Sequence, residues 1–182
     1  MSGWLALAVC VLSLGLVASM GSVIVTDKLP ASARNPNTPP RVLALLARGG
    51  DRMVREAVTE NPNTPPRALA RLAKNKNWRI RLRIAENPST PPEALARLAE
   101  DEVWGVCSGV AENPSTPPEV LARLAKDEDG MVRFGVAGNP SAPPEALFDL
   151  ALDDRDRGVR EVASLNPSLP EHMRAMVVLG GD

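Results

Sequence analysis

An all-α solenoid of about five tandem 26-residue repeats is the fold that this sequence predicts, and three observations predict it. The dipeptide Asn-Pro recurs at Asn35, Asn61, Asn87, Asn113, Asn139 and Asn166, at spacings of 26, 26, 26, 26 and 27 residues. Of 18 prolines, 17 lie inside the six segments that these dipeptides open, and only Pro30 lies elsewhere. A pair of leucines three residues apart follows each of the first five segments: Leu43 and Leu46, Leu69 and Leu72, Leu95 and Leu98, Leu121 and Leu124, Leu147 and Leu150. Proline here is a periodic structural device. The hydrophobic fraction of 44% and the net charge of -1 also set the chain apart from a solvated, disordered one.

Each unit reads the same way along its length. The segments run NPNTPP, NPNTPP, NPSTPP, NPSTPP and NPSAPP, and the sixth has decayed to NPSLPE. A residue before proline is pushed out of the helical region, so Asn-Pro ends the helix before it, and the Asn side chain folds back in an Asx turn. Thr38, Thr64, Thr90 and Thr116 are expected as N-caps of the next helix, whose first turn tolerates two prolines. Glu93 and Glu119 complete a Thr-Pro-Pro-Glu capping box, whereas Arg41 and Arg67 take that position in the first two units. Glu145 keeps the acid although Ala142 replaces the cap.

A helix of about three turns follows, with the leucine pair as its apolar stripe and Ala47, Ala73, Ala99, Ala125 and Ala151 as small neighbours. A polar turn such as DEDG then leads to a second apolar segment, for example MVREAVTE, expected as about two turns of α- or 3-10 helix. One such pair of helices cannot bury its own stripe. Stacked copies make a continuous core, with the sixth, atypical half-repeat as a C-terminal cap.

The consensus D-x-x-V-R-x-x-V-A-x-N-P-[NS]-T-P-P-E-x-L-A-R-L-A resembles the leucine-rich repeat variant family, over about residues 31–179. The resemblance implies alternating α- and 3-10 helices in a right-handed superhelix, HEAT-like in style, with binding as the generic role. Some relatives carry a cysteine cluster that holds an iron–sulfur centre. This chain has only Cys10 and Cys107, in unlike contexts, so no cofactor is expected.

The domain organisation is expected as an apolar segment over 1–26, a linker or N-cap over 27–34, and the repeat domain over 35–182. Residues 3–25 are 23 uncharged residues, long enough to span a bilayer. Lys28, Arg34, Arg41 and Arg48 follow the segment and no basic residue precedes it, which orients a single-pass anchor with the repeats cytoplasmic. A signal peptide with export, or a misassigned start that leaves a cytoplasmic protein beginning at Met20, are the alternatives.

The charges are segregated. Residues 31–100 hold 13 Lys/Arg against 6 Asp/Glu, and residues 101–182 hold 7 against 15. The basic part includes Arg52, Arg55, Lys74, Lys76, Arg79, Arg81 and Arg83. A solvated surface, anionic lipid, nucleic acid or head-to-tail association each accounts for this.

Two ladders are candidate partner-binding sites. Arg55, Arg81, Arg133 and Arg160 share one repeat position, which Cys107 interrupts. They form either an anion-binding ridge or a set of inter-repeat contacts. Trp78 and Trp104 stand one period apart, with Arg52 and Gly130 in the flanking units. About 10 Å apart on neighbouring repeats, they suit a partner if exposed and inter-repeat packing if buried.

Catalysis has little to build on. One histidine (His172), no tyrosine, no nucleophile–base order, no phosphate loop and no metal-ligand spacing are present in the sequence. The expected function is a non-enzymatic scaffold that binds a protein or peptide, tethered to a membrane. The alternative is a nucleic-acid-binding array that uses the basic repeats.

Overall fold

The computed structural model describes residues 28–49 and 51–180. The apolar segment 3–25, and with it the expected anchor, lies outside the described residues. Among the described residues no helix is long and apolar enough to cross a membrane.

These residues form twelve α-helices. They are α1 (Lys28–Arg34), α2 (Pro40–Gly49), α3 (Arg52–Glu60), α4 (Pro66–Leu72), α5 (Trp78–Glu86), α6 (Pro92–Leu98), α7 (Trp104–Glu112), α8 (Pro118–Leu124), α9 (Gly130–Gly138), α10 (Pro144–Asp153), α11 (Arg157–Leu165) and α12 (Glu171–Gly180). Even-numbered helices carry the leucine pairs and odd-numbered ones the second segment of each unit. The odd helices pack on one another in an unbroken layer from α1 to α11, and the even helices meet their own kind less closely. Residues 28–34, expected as linker or N-cap, are a helix in the odd layer, packed on α3.

The relative lengths differ from the sequence expectation. The second segments are nine-residue α-helices, with no 3-10 helix among the described residues, while α4, α6 and α8 are only seven residues long. The reason lies at the ends. Each odd helix runs to the residue before Asn, the one point where proline stops it. Each of these even helices starts late, at the second proline, and stops at its second leucine.

The expected N-caps are also corrected. Pro65, Pro91, Pro117 and Pro143 occupy the N-cap positions, and none makes a side-chain cap bond. The residue two beyond each threonine is a proline with no N–H, which removes one of the two amides that a capping threonine could use. The threonine hydroxyl instead turns backwards onto a carbonyl near the end of the preceding helix, one that also accepts the amide of the C-cap asparagine. Thr64 Oγ1 donates to Val58 O at 2.6 Å, Thr90 to Ile84 O at 2.6 Å and Thr116 to Val110 O at 2.7 Å. Without a capping threonine, Glu93 and Glu119 complete no capping box and act only as first-turn acids near the helix dipole.

The leucine pairs and their alanines are buried as the spacing requires, and with Val54, Val58, Ile80, Ile84, Val106, Val110, Val132 and Val136 from the odd helices they make one core. Each fully buried Leu contributes about 1.5–3 kcal/mol. Gly109 and Gly135 let the odd layer close up. A Cβ on Gly135 would come within 2.9 Å of Ala111 Cβ, and one on Gly109 within 3.1 Å of Leu82 Cδ1.

Polar ladders join the units. The Oδ1 of each Asn accepts from the amide two residues on, the expected Asx turn, as in Ser115 N to Asn113 Oδ1 at 2.9 Å. Its amide group spans to the previous unit: Asn113 Nδ2 donates to Ala85 O at 2.6 Å and Asn87 O at 3.0 Å. Asn61, Asn87, Asn139 and Asn166 repeat the arrangement. A parallel ladder runs from Ser89, Ser115, Ser141 and Ser168 to proline carbonyls. At the end, Arg174 stands where Leu147 stands one unit earlier and donates to Asn166 O at 2.7 Å, the acceptor a further asparagine would use.

Candidate interaction surface

The odd helices begin at polar turns whose side chains cap them. Asp51, Asn77, Asp129 and Asp156 accept from Val54, Arg79, Met131 and Gly158 amides, while Val103 offers α7 no side-chain cap. The first residues of α3, α5, α7 and α11 are exposed. Trp78 is 43% exposed and Trp104 56% exposed, on adjacent helices. Met53, Met131 and Phe134 are also exposed on α3 and α9. These side chains make an apolar ridge on four successive odd helices, α3 to α9, with the aromatic content that partner surfaces carry. Arg79 sits over Trp78 with its guanidinium carbon 5.5 Å from the ring centroid. Beside it Arg52, Glu56, Glu60, Leu82 and Arg83 line a shallow groove.

The arginine ladder is placed differently. Arg133 is buried, and its guanidinium grips Asp154 of the next unit with two bonds, Nε to Oδ2 at 2.7 Å and Nη2 to Oδ1 at 3.0 Å. Its Nη1 donates to Asp127 O and Glu128 O. Arg81 does the same to Asp101, at 2.5 and 2.9 Å, and to Asn75 O and Lys76 O. Arg160 donates to Asp154 O, and Arg55 is half-buried. Arg81 and Arg133 each place four donor bonds within the inter-repeat joint, the inter-repeat contact expected of this ladder.

Burial works against the Asp101 and Asp154 carboxylates. Even so, hydrogen bonds from Arg81 or Arg133 and from the backbone amides of Val103 or Asp156 hold both below their usual value. Hydrogen bonds to the two carboxylates raise Arg81 and Arg133 despite their burial. At the interrupted position Cys107 is buried, its Sγ donating to Asp101 O at 3.3 Å. Burial and the nearby Asp127 push its thiol up, so it is a poor nucleophile.

The aspartates were the residues that sequence reading missed. Asp101 and Asp154 lie 20 and 21 residues beyond their arginines, in the polar turns between helices. Their recurrence at the repeat position of Asn75 and Asp127 was the available signal. No group of His, Cys, Asp and Glu able to hold a metal occurs among the described residues.

With this geometry in place, comparisons with known proteins are informative. The family model for the leucine rich repeat variant matches residues 78–103 and 104–129, the two units that open on the tryptophans. These units are leucine rich repeat variant repeats. A solved structure described as "a leucine-rich repeat variant with a novel repetitive protein structural motif" is similar to the chain, with a TM-score of 0.61 and 25% identity. The match covers 88% of this chain and 63% of that one, so the chain spans under two thirds of that relative. No curated protein matches the chain. The leucine rich repeat variant fold is a helical repeat scaffold, and the exposed tryptophans distinguish the two matched units within it.

Proposed function

We propose that the chain is a non-enzymatic scaffold that binds a protein or peptide partner on the odd-helix face and is held at a membrane by residues 3–25. The observation that carries the binding role is the pair Trp78 and Trp104, solvent-exposed on neighbouring helices of a rigid array. Exposing two indoles forfeits burial that the core would reward, by roughly 25 cal/mol per Å². Nothing in the packing of the odd layer requires them: Arg52, Gly130 and Arg157 fill the same position in the other units. The tether rests on 23 uncharged residues followed by basic ones.

Affinity purification of the full chain tests the binding role, with wild type compared against Trp78→Ala/Trp104→Ala. Both side chains are exposed, so circular dichroism is expected to stay the same while the partner is lost. An unchanged set of partners would sink the ridge as the contact surface. For the tether, a C-terminally tagged chain is expected in the pellet after alkaline carbonate extraction, and release into the supernatant refutes it.

A further inference from the structure

The first two even helices turn a purely basic face to solvent. On α2 the outward stripe, spaced i, i+4 and i+7, is Arg41, Leu45 and Arg48. On α4 the same stripe is Arg67 and Arg71, with Lys74 just beyond the helix end. All of these side chains are exposed, and the two helices pack side by side. Neither helix holds an aspartate or glutamate. In the odd layer Arg34, Arg52, Arg81 and Arg133 are matched by Glu60, Glu56, Asp101 and Asp154. No carboxylate among the described residues pairs with Arg41, Arg48, Arg67 or Arg71. Lys74 differs, because it shares a hollow with Glu100 and Asp101. From α6 onward the first stripe position is Glu93, Glu119 and Glu145, and Arg123 is paired with Glu100. The uncompensated cations are thus confined to the first two units, around a Leu45 that is 48% exposed.

We infer that this face of α2 and α4 lies on the anionic headgroups of a phospholipid bilayer, with Leu45 entering the interface. The inference rests on the proposed tether through residues 3–25, and adds which face of the array meets the bilayer and which lipids it needs. Only Thr26 and Asp27 separate that segment from α1, and α1 packs against α2. An anchor there holds the basic face within reach of the headgroups. An apolar side chain set between arginines suits a bilayer surface, where it enters the acyl boundary while the guanidinium groups stay with the phosphates. A nucleic-acid strand fits less well, because neither helix offers an aromatic side chain for a base to stack on.

An environment-sensitive NBD label on Leu45→Cys tests this, in the full chain with Cys10→Ser, reconstituted into vesicles. Cys107 is buried with its thiol pushed up, so the label goes to position 45. In phosphatidylcholine with about 30% phosphatidylserine the emission should lie to the blue of that in pure phosphatidylcholine, and high salt should reverse the shift. Arg41→Gln/Arg48→Gln/Arg67→Gln/Arg71→Gln should abolish the difference with circular dichroism unchanged, the seated population falling about fivefold per charge removed. A label on Asp149→Cys, the same stripe position on α10, should report water in both vesicles. Equal emission from position 45 in both vesicles, with the chain still resisting carbonate extraction, overturns the inference and leaves the tether standing. Release by carbonate refutes the tether, and the emission difference then still decides whether this face meets lipid. Equal emission together with saturable binding of an oligothymidine strand through the four arginines overturns the inference in favour of nucleic acid.

Discussion

Replacing Arg133 by methionine should be among the most damaging single changes at an inter-repeat joint. Methionine keeps much of the aliphatic bulk and removes the guanidinium. The Arg133 and Asp154 side chains are only 6% and 4% exposed, so solvent cannot replace the lost partner. What remains is a carboxylate with the Asp156 amide at 2.8 Å and Asp127 O without its donor, while Glu128 O keeps Arg155. Breaking one side of a buried pair costs about 3–5 kcal/mol. With a urea m-value of about 2 kcal/mol/M, the midpoint should fall by about 1.5–2.5 M. Urea titration followed by circular dichroism reads it directly. The double variant Arg133→Met/Asp154→Asn removes the stranded charge while keeping an acceptor for the Asp156 amide, and should recover at least half of the loss. A loss below about 1 kcal/mol, or no recovery in the double variant, refutes the account of the joint. The acid limb gives a second check. The carboxylates of Asp101 and Asp154 titrate below their usual value in the folded chain. Their stabilisation is therefore complete above the ordinary carboxylate pKa of about 4 and is lost as pH falls through the lower folded value. Arg133→Met should flatten that acid dependence.

Cys107→Arg supplies the missing rung, since Asp127 occupies the place of Asp101 and Asp154. Thermal unfolding should rise by a few degrees, and a fall would show that the site cannot seat the longer side chain. Asn113→Ala strands Ala85 O in a buried joint and removes one of the two donors to Asn87 O, and should cost about 1–3 kcal/mol in denaturant titrations. Gly135→Ala forces a Cβ to 2.9 Å from Ala111 Cβ, and should cost about 1–3 kcal/mol although alanine is the better helix former. Gain of stability on that change would mean that α7 and α9 separate freely.

Leucine and proline spacing made the array legible because both act locally. Proline stops a helix through its own ring, and a three-residue leucine spacing marks one face of whatever helix contains it. The Asx turn was legible for the same reason, since Asn113 bonds an amide two residues away. The threonines misled, because their hydroxyls had two acceptable destinations. The second proline withholds one of the two amides a cap could use, and the carbonyl six residues back comes within reach only once the helices are packed. The tryptophans could not be placed from the sequence, since a one-period spacing is equally compatible with packing and with exposure.

Local sequence set the period, the alternation of helices, the core leucines and the points where the odd helices stop, since each of these depends on residues within one turn. The tertiary structure alone decided which groups join one unit to the next. It sent the asparagine amides to carbonyls 26 to 29 residues back, seated Arg81 and Arg133 on aspartates about 20 residues ahead, and left Trp78 and Trp104 facing water. Those pairings arise from the rise and rotation between stacked units, a geometry set by the packing of the whole odd layer, including the closeness that Gly109 and Gly135 permit.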